Sequence, residues 1–345
     1  MKIFYPALLL VSCSANAQYS GPESVEHDAE GQRYFVSNTG DNSIKQRAYD
    51  GTVTAFASNL PTAPYGIELK GDTLFACMGG SIRGFSTVDG VVVFSLSVGG
   101  SFLNGITTDG AFLYATDFST KKIFKVNVEQ LTYTTLVANT VNTPNGIVWD
   151  PALERLWVVG WGSNAKIKSY DRDSGAELSS YTTNLGSIDG VTLDCQGRII
   201  VASWEPDQLT RYENTFTEAP VVLMMDNGLD HPADLDYDTV HDRVCVPNSG
   251  NNTVSLVDVA DCTTAVPEAA PYGTFMVWPN PTNGLLKLDL ELKHAVPFLV
   301  FNVRGTLVAS GTLSPNGLLD ITELASGTYV VDVPVLRKKA VIIRR

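Results

Sequence analysis

The sequence predicts an all-β protein, and three observations lead to this fold class. Helical periodicity is nearly absent from the 345 residues. The 29 glycines and 17 prolines are typical of a chain with many turns. One sequence pattern also recurs six times with spacings of 39 to 44 residues, which indicates a repeat architecture. With 44% hydrophobic and 18% charged residues the chain can bury real cores, so wholesale disorder is excluded.

Each repeat begins with one variable residue, then a small residue and a short apolar strand. The variable positions are Glu23, Tyr65, Asn104, Asn145, Asp189 and Ala233. A second apolar strand follows about nine residues later, then a third, and repeats 1 to 5 add a fourth. Four short strands in a unit of this length predict a propeller blade. We therefore expect a six-bladed β-propeller over residues 18–265, with the segment Gln18–Pro22 closing the ring beside the shorter sixth repeat.

The first 17 residues predict a signal peptide. Lys2 precedes an apolar run from Ile3 to Val11, and Ala15-Asn16-Ala17 is a small-x-small cleavage site before Gln18. An alternative is lipoprotein processing at Cys13, which follows Leu10-Val11-Ser12. No later stretch is long and apolar enough to predict a transmembrane segment.

The net charge of −13 and the pI near 4.7 argue against nucleic acid or an anionic membrane as a partner. The charge is also uneven. Residues 18–272 hold 15 basic and 32 acidic residues (−17), whereas residues 273–345 hold eight basic and five acidic residues (+3). This asymmetry predicts two units. We expect a linker at residues 266–272 and a small β-sandwich at residues 273–345.

The variable residue of each repeat is expected at one mouth of the propeller channel. Four of these residues, Glu23, Asn104, Asn145 and Asp189, would direct side-chain oxygens towards the axis. Carboxylate and amide oxygens suit a hard cation, so the pattern predicts a site for Ca²⁺ or another divalent metal. The alternative interpretation is that Asn-Gly and Asp-Gly are ordinary turn dipeptides that the repeats reuse.

A second set of residues predicts a pocket at the same mouth. Phe118, Trp161 and Trp204 follow second strands, and Tyr65 lies further round the ring. An aromatic wall beside a few polar groups is typical of a small-molecule site. The same rings would also suit a carbohydrate ligand or packing between blades. On the opposite face, a disulfide bond between Cys195 and Cys262 is geometrically plausible, whereas Cys77 and Cys245 are expected to be buried thiols.

The C-terminal segment carries the most specific motifs, which are Val277-Trp278-Pro279-Asn280-Pro281, Leu324-Ala325-Ser326-Gly327-Thr328-Tyr329 and the terminal Lys338–Arg345. In order and spacing they resemble the type A C-terminal sorting domain of the type IX secretion system. The resemblance implies that the type IX machinery handles residues 273–345 and that the protein is secreted or displayed at the outer cell surface.

Two motifs, Pro144–Trp149 and Asp189–Arg198, resemble the regucalcin/gluconolactonase (SMP-30) family of six-bladed propellers. The resemblance implies a divalent metal held by Glu23, Asn145 and Asp189, with Asp189 also acting as general base and Asn104 facing the substrate. It thus implies a hydrolase of the lactonase or esterase kind.

Two positions depart from that family. Phe102 stands where its members commonly carry an arginine, which makes a sugar-acid lactone doubtful as substrate, and His27 stands where they usually have tryptophan. The repeats also resemble the NHL class of propellers. That resemblance implies the alternative of a non-catalytic module for a protein or carbohydrate ligand.

Overall fold

The computed structural model describes residues 18–259, 273–290, 292, 295–333, 336 and 338–345. Two compact units divide between residues 263 and 264. The described residues form β-strands and no α-helix, which confirms the all-β class. No helix capable of crossing a membrane occurs in this part of the chain. The predicted signal peptide, the predicted linker and Cys262 lie outside the described residues.

The described residues of the first unit form six antiparallel sheets, one for each predicted repeat, which we number as blades 1 to 6. Blades 1 to 3 consist of Pro22–Asp28 (β1), Arg33–Asn38 (β2), Ser43–Ala48 (β3), Val53–Ala57 (β4); Ile67–Lys70 (β5), Thr73–Met78 (β6), Ser81–Ser86 (β7), Val92–Ser97 (β8); and Leu103–Thr108 (β9), Leu113–Asp117 (β10), Lys122–Asn127 (β11), Thr132–Val137 (β12). Blades 4 to 6 consist of Pro144–Asp150 (β13), Arg155–Gly160 (β14), Lys166–Asp171 (β15), Glu177–Thr182 (β16); Gly186–Leu193 (β17), Ile199–Glu205 (β18), Asp207–Tyr212 (β19), Val221–Met225 (β20); and Asp236–Asp238 (β21), Arg243–Asn248 (β22), Thr253–Asp258 (β23).

The first strands of the six blades contact one another in succession, and β1 also contacts β21, so the ring is closed. At the closure Ser24 forms a parallel bridge with Asp234, and the Asp234 amide donates to the Glu23 carbonyl at 2.8 Å. The segment Gln18–Pro22 adds no strand to blade 6, whose sheet has three strands. Instead, the Gly21 amide donates to the Asn252 side chain at 2.6 Å. The segment thus contacts blade 6 beside the closure of the ring without adding a fourth strand to it.

The cores of the first unit lie between neighbouring blades. One cluster combines Phe75 and Ile82 of blade 2 with Leu103 and Phe124 of blade 3. Cys77 belongs to this cluster and is a buried free thiol, as the sequence predicts. Because each apolar strand packs against the next sheet, the blades hold their first strands around a common channel.

The second unit contains two sheets. The larger has the order β24 (Gly273–Thr274), β31 (Lys338–Arg344), β30 (Gly327–Val333), β27 (Val296–Asn302) and β28 (Leu307–Leu313). The smaller has the order β25 (Val277–Trp278), β26 (Leu285–Leu288) and β29 (Leu318–Asp320). Residues of both sheets, including Leu286 and Val331, enter one hydrophobic cluster. This arrangement is compatible with the predicted sandwich.

Candidate functional site

A cavity of about 370 Å³ lies at the end of the ring where the first strands of the blades begin, and we call it the mouth cavity. It is lined by Gly21, Glu23, Thr39, Tyr65, Phe102, Asn104, Phe118, Asn145, Trp161, Asp189, Trp204 and Ser249. The structure thus brings together all eight residues that the sequence analysis assigns to the metal site and the substrate wall.

The four oxygen-bearing residues of the mouth occupy equivalent irregularities in their strands. The pairing of β1 with β2 shifts between Pro22 and Val25, and the pairing of β13 with β14 shifts between Pro144 and Ile147. Corresponding shifts in β9 and β17 enclose Asn104 and Asp189. Because a β-bulge re-aims the side chains at its position, these repeated bulges give all four residues a common direction.

A glycine follows four of the six mouth residues, and packing between blades requires it there. A Cβ atom on Gly105 would lie 2.6 Å from the Asn145 carbonyl oxygen, and one on Gly146 would lie 2.7 Å from the Asp189 carbonyl oxygen. Neither glycine has a left-handed φ, and both lie within strands. The alternative interpretation of Asn-Gly as a turn dipeptide is therefore wrong. Glycine allows adjacent first strands to approach closely around the channel.

Asn145 and Asp189 form the floor of the mouth cavity. Both are almost fully buried, and the Asn145 Nδ2 donates to Asp189 Oδ1 at 2.9 Å. The Asn145 Oδ1 is buried without any hydrogen-bond partner. An unpaired buried carbonyl is costly, so its presence points to a missing ligand atom. The side chain of Asn104 also makes no hydrogen bond within the described residues, which leaves its amide available to a ligand.

Two carboxyl groups of the mouth cavity have raised pKa values. Burial raises the pKa of Glu23 to about 7. Burial, and then repulsion from Glu23 and Asp234, raise the pKa of Asp189 well above its ordinary value, although the hydrogen bond from Asn145 opposes this. Like charges held together in a desolvated place favour either protonation or a bound cation.

The donor set at the floor fits a hard divalent cation. Glu23 and Asp189 offer carboxylates, while Asn145 offers an amide oxygen with no other partner. Ca²⁺ takes six to eight oxygen ligands, and waters commonly complete such a set. No cluster of three or more His, Cys, Asp or Glu side chains placed for a metal ion occurs within the described residues. Any metal at this floor would consequently depend on amide oxygens as well as on the two carboxylates.

The aromatic side of the mouth cavity is more extensive than the sequence predicts. The Phe102 ring lies 4.6 Å from the Tyr65 ring and 5.5 Å from the Phe118 ring, measured between centroids. At the other end of the wall, the His231 ring lies 4.3 Å from the Trp204 ring. Phe102 belongs to the wall because it lies two residues before Asn104, a signal that the sequence contains. His231 lies two residues before Ala233 in the same way.

A second row of carboxylates lies deeper in the channel, and the sequence analysis missed it. Glu26, Glu68 and Asp236 each stand three residues after a mouth position, and all three line a small cavity. Each accepts a backbone hydrogen bond, from Leu69, Thr108 and His27 respectively. Burial and mutual repulsion raise the pKa of Glu26 and Glu68. The repeat spacing that identified Glu23 could also have identified this row.

Cys195 lies in the exposed loop between β17 and β18 and is disulfide-bonded. Cys262, the partner that the sequence suggests, is outside the described residues.

Comparison with known protein families gives two matches. Residues 114–222 match the SMP-30/Gluconolactonase/LRE-like region, and residues 276–343 match the secretion system C-terminal sorting domain. No curated protein sequence matches the chain significantly.

Several solved structures are similar in fold. A luciferin-regenerating enzyme is 15% identical with a TM-score of 0.55, and the match covers 67% of this chain and 84% of that one. A virginiamycin B lyase from Staphylococcus aureus is 12% identical with a TM-score of 0.52, covering 70% and 85%. A chain of a nidogen/laminin complex is 17% identical with a TM-score of 0.53, covering 66% and 92%.

These comparisons and the ring of six sheets define the protein as a β-propeller with a second all-β unit. The propeller contains an SMP-30/gluconolactonase-like region, and the second unit is a type IX sorting domain. The protein is thus exported by the type IX system to the cell surface or beyond.

Proposed function

We propose that the propeller is a divalent-metal-dependent hydrolase that cleaves a carboxylic ester or lactone in the mouth cavity. The observation that carries this proposal is the unpaired, buried Oδ1 of Asn145 in an aromatic-walled cavity that Glu23 and Asp189 also line. Glu23, Asn145 and Asp189 would hold the metal. A bound divalent cation would polarise the substrate carbonyl as a Lewis acid.

The reaction assigns a role to each polar residue of the floor. Asn104 orients the substrate through its free amide. Asp189 accepts a proton from the attacking water as the water oxygen bonds to the carbonyl carbon, and this proton then passes to the leaving alkoxide. The C–O bond of the ester breaks, which gives a carboxylic acid and an alcohol. The aromatic side of the cavity excludes bulk water from the reacting atoms.

A second candidate is a binding propeller without catalysis. It is favoured by the partly exposed aromatic rings at the mouth, which suit recognition of a protein or carbohydrate as well as a substrate. The chain of the nidogen/laminin complex that shares this fold is itself part of an assembly. In this case Ca²⁺ would be a structural ion or would be absent.

Thermal unfolding of the full chain tests the metal site. After treatment with EDTA, Ca²⁺ at about a hundredfold excess over its Kd should raise the midpoint by roughly 5–10 °C, since ligand binding stabilises the folded state by mass action. Glu23→Gln and Asp189→Asn should remove the rise. Glu154→Gln changes an exposed carboxylate and is the matched control, so its rise should equal that of the wild type.

Turnover then separates the two candidates. Asp189→Ala should lower ester or lactone hydrolysis by roughly 10²–10⁴-fold if Asp189 is the general base. A metal-dependent rise in the midpoint without any turnover favours the binding propeller. Absence of a rise in a well-folded wild type contradicts the metal-dependent hydrolase.

A further inference from the structure

The mouth cavity has a continuous apolar side, which we call the aromatic arc. The rings that line the cavity are, in order round the ring of blades, Tyr65, Phe102, Phe118, Trp161 and Trp204. The series ends at His231, which packs against Trp204 beyond the lining of the cavity. Successive ring centroids are 4.6, 5.5, 5.9, 4.8 and 4.3 Å apart, so each ring contacts the next. The arc passes across blades 2 to 6 and leaves a gap at blade 1.

The polar groups on the rim are already engaged within the protein. The Thr39 hydroxyl donates to the Gly21 carbonyl at 3.1 Å, and the Ser249 hydroxyl donates to the His231 carbonyl at 3.0 Å. The Trp204 Nε1 donates to the Pro232 carbonyl at 3.1 Å. A ligand with many hydroxyl groups would therefore find few free donors at the rim, and its desolvated hydroxyls would remain poorly paired.

The charges around the cavity disfavour an anionic ligand. No lysine or arginine occurs among the described residues that line the cavity, whereas Glu23 and Asp189 lie at its floor. The proposed function assigns both carboxylates to the metal, and a negatively charged body would find no basic side chain along the cavity to pair with. A neutral ligand needs no such partner.

The ring orientations favour a flat apolar ligand. Neighbouring rings from Tyr65 to Trp204 are inclined by 51° to 77°, so the edge of one ring faces the plane of the next. Aromatic groups prefer this edge-to-face contact, and the rings remain partly exposed towards the cavity. The aromatic ring of a ligand can therefore contact these side chains in the same edge-to-face geometry.

We infer that the mouth selects uncharged carbonyl compounds with an aryl body, namely aryl-bearing esters or lactones. The aryl body lies against the aromatic arc, and the single polar end points to the amide groups of Asn104 and Asn145. This inference rests on the proposed function only for the reactive carbonyl; selection of the aryl body depends on the arc alone.

Binding without turnover provides the test, and it uses the full chain with Ca²⁺ present. The probes are three lactams with the same ring size, in which N–H replaces the ring oxygen of dihydrocoumarin, δ-valerolactone and gluconolactone. Calorimetry should show the dihydrocoumarin analogue binding at least tenfold more tightly than the other two, because only it offers a ring to the arc.

Two variants test whether the aromatic arc provides the preference for the aryl ligand. Phe118→Leu and Trp161→Leu keep an apolar side chain but remove one ring, and each should weaken binding of the dihydrocoumarin analogue about five- to tenfold. Tyr133→Leu removes a partly exposed ring on β12, away from the mouth, and should leave the affinity unchanged. Circular dichroism would establish that each variant is folded.

The outcomes distinguish this inference from the proposed function. Equal affinity for the three lactams, or preference for the gluconolactone analogue, overturns the inference even if a variant fails to fold, because the wild type alone gives that comparison. Unchanged affinity in both folded arc variants also overturns it. Tight, arc-dependent binding of the dihydrocoumarin analogue without hydrolysis of dihydrocoumarin supports the inference and contradicts the hydrolase.

Discussion

Asp238 is a single residue on which closure of the ring depends. It is fully buried in blade 6 and accepts hydrogen bonds from the Tyr34 hydroxyl of blade 1, from His241 Nδ1 at 2.8 Å and from Arg243 Nε at 3.0 Å. His27 of β1 also approaches it, with Nε2 at 3.3 Å. His27 therefore packs between blade 1 and blade 6.

The protonation of Asp238 is coupled to stability. Burial alone would raise the pKa of Asp238, but hydrogen bonds from Tyr34 and His241 outweigh burial and hold the pKa well below its ordinary value. A carboxyl group with a depressed folded pKa stabilises the fold fully above its unfolded pKa of about 3.9. That stabilisation is lost as the pH falls through the folded pKa. The ring closure should therefore weaken in acid.

We expect Asp238→Asn to lower the free energy of unfolding at pH 7 by about 3 kcal/mol, because it removes the charge from a buried network. The unfolding midpoint should fall by roughly 6–12 °C. The difference from wild type should shrink below about pH 4, where the wild-type carboxylate also loses its contribution. Thermal melts between pH 3 and pH 8 would measure both effects.

Asp173→Asn is the control for this prediction. Asp173 lies 2.8 Å from Lys125 Nζ, but its side chain is 73% exposed, and exposed ion pairs contribute little. The unfolding midpoint of Asp173→Asn should stay close to that of the wild type at every pH. If the two variants lost equal stability, Asp238 would have no special role in closing the ring.

The sequence predicted the candidate site residues where a suitable residue type stands at the same point of successive repeats. Glu23, Asn145 and Asp189 were identified because the spacing of the repeats places them at equivalent points of the first strands. The contacts of Asp238 were not accessible, since Tyr34 and Asp238 are separated by 204 positions and meet only when the ring closes. The place of His231 in the aromatic arc also depends on its left-handed backbone, with φ of 48°, which spacing does not reveal.

Among the strands, the final strand β31 has one edge that is covered by a very short strand and by a side chain. The two-residue β24 pairs only with Lys338 and Lys339. Further along, the side chain of Asn280 takes the place of a neighbouring strand: its Nδ2 donates to the Val341 carbonyl and its Oδ1 accepts from the Ile343 amide, both at 2.9 Å. The Trp278–Pro281 motif thus covers one part of this sheet edge, and Thr282 covers the next part through backbone hydrogen bonds with Ile343 and Arg345.

Asn280→Ala should expose this edge. Loss of two hydrogen bonds should destabilise the second unit by about 1–2 kcal/mol, since each contributes about 1 kcal/mol. Hydrogen exchange of the full chain, followed by mass spectrometry, should show faster exchange in peptides that contain Ile343. Asn280→Asp keeps the acceptor for the Ile343 amide and loses the donor to Val341, so its effect should be intermediate.

Asn316→Ala supplies the comparison for the edge variant. Asn316 accepts one local bond from the Leu318 amide at 3.1 Å and makes no contact with β31 through that bond. Exchange at β31 should match the wild type in this variant. If hydrogen exchange at Ile343 is unchanged in Asn280→Ala, then β31 does not depend on the two hydrogen bonds from the Asn280 side chain.

At the same scale, strand positions were predictable and strand irregularities were not. The apolar second strands appear where the spacing within the repeats predicts them, as in Arg33–Asn38, because an alternating or buried run has a clear pattern. The bulges that aim Asn104 and Asn145 have no such pattern, because an extra residue in one strand shows only against its partner. For this reason the sequence located the site residues but misread the glycines beside them.

The whole molecule combines two units of opposite charge and separate cores. The unit that contains the mouth cavity is strongly acidic, and the sorting domain is slightly basic. All described residues of the sorting-domain core lie between Phe275 and Ile342, and none belongs to a propeller cluster. Since each unit buries its own apolar residues, each has the means to fold without the other.

Removal of residues 273–345 should therefore abolish export and leave the propeller intact. The shortened chain should retain the unfolding transition of the propeller and the same response to Ca²⁺, because every residue that lines the mouth cavity remains. In cells with a type IX system it should accumulate inside, whereas the full chain reaches the surface or the medium. Fractionation with immunoblotting would measure the distribution, and a melt of the purified shortened chain would measure the fold. Export of the shortened chain would show that the sorting domain is dispensable, and loss of its folded state would show that the propeller depends on the second unit.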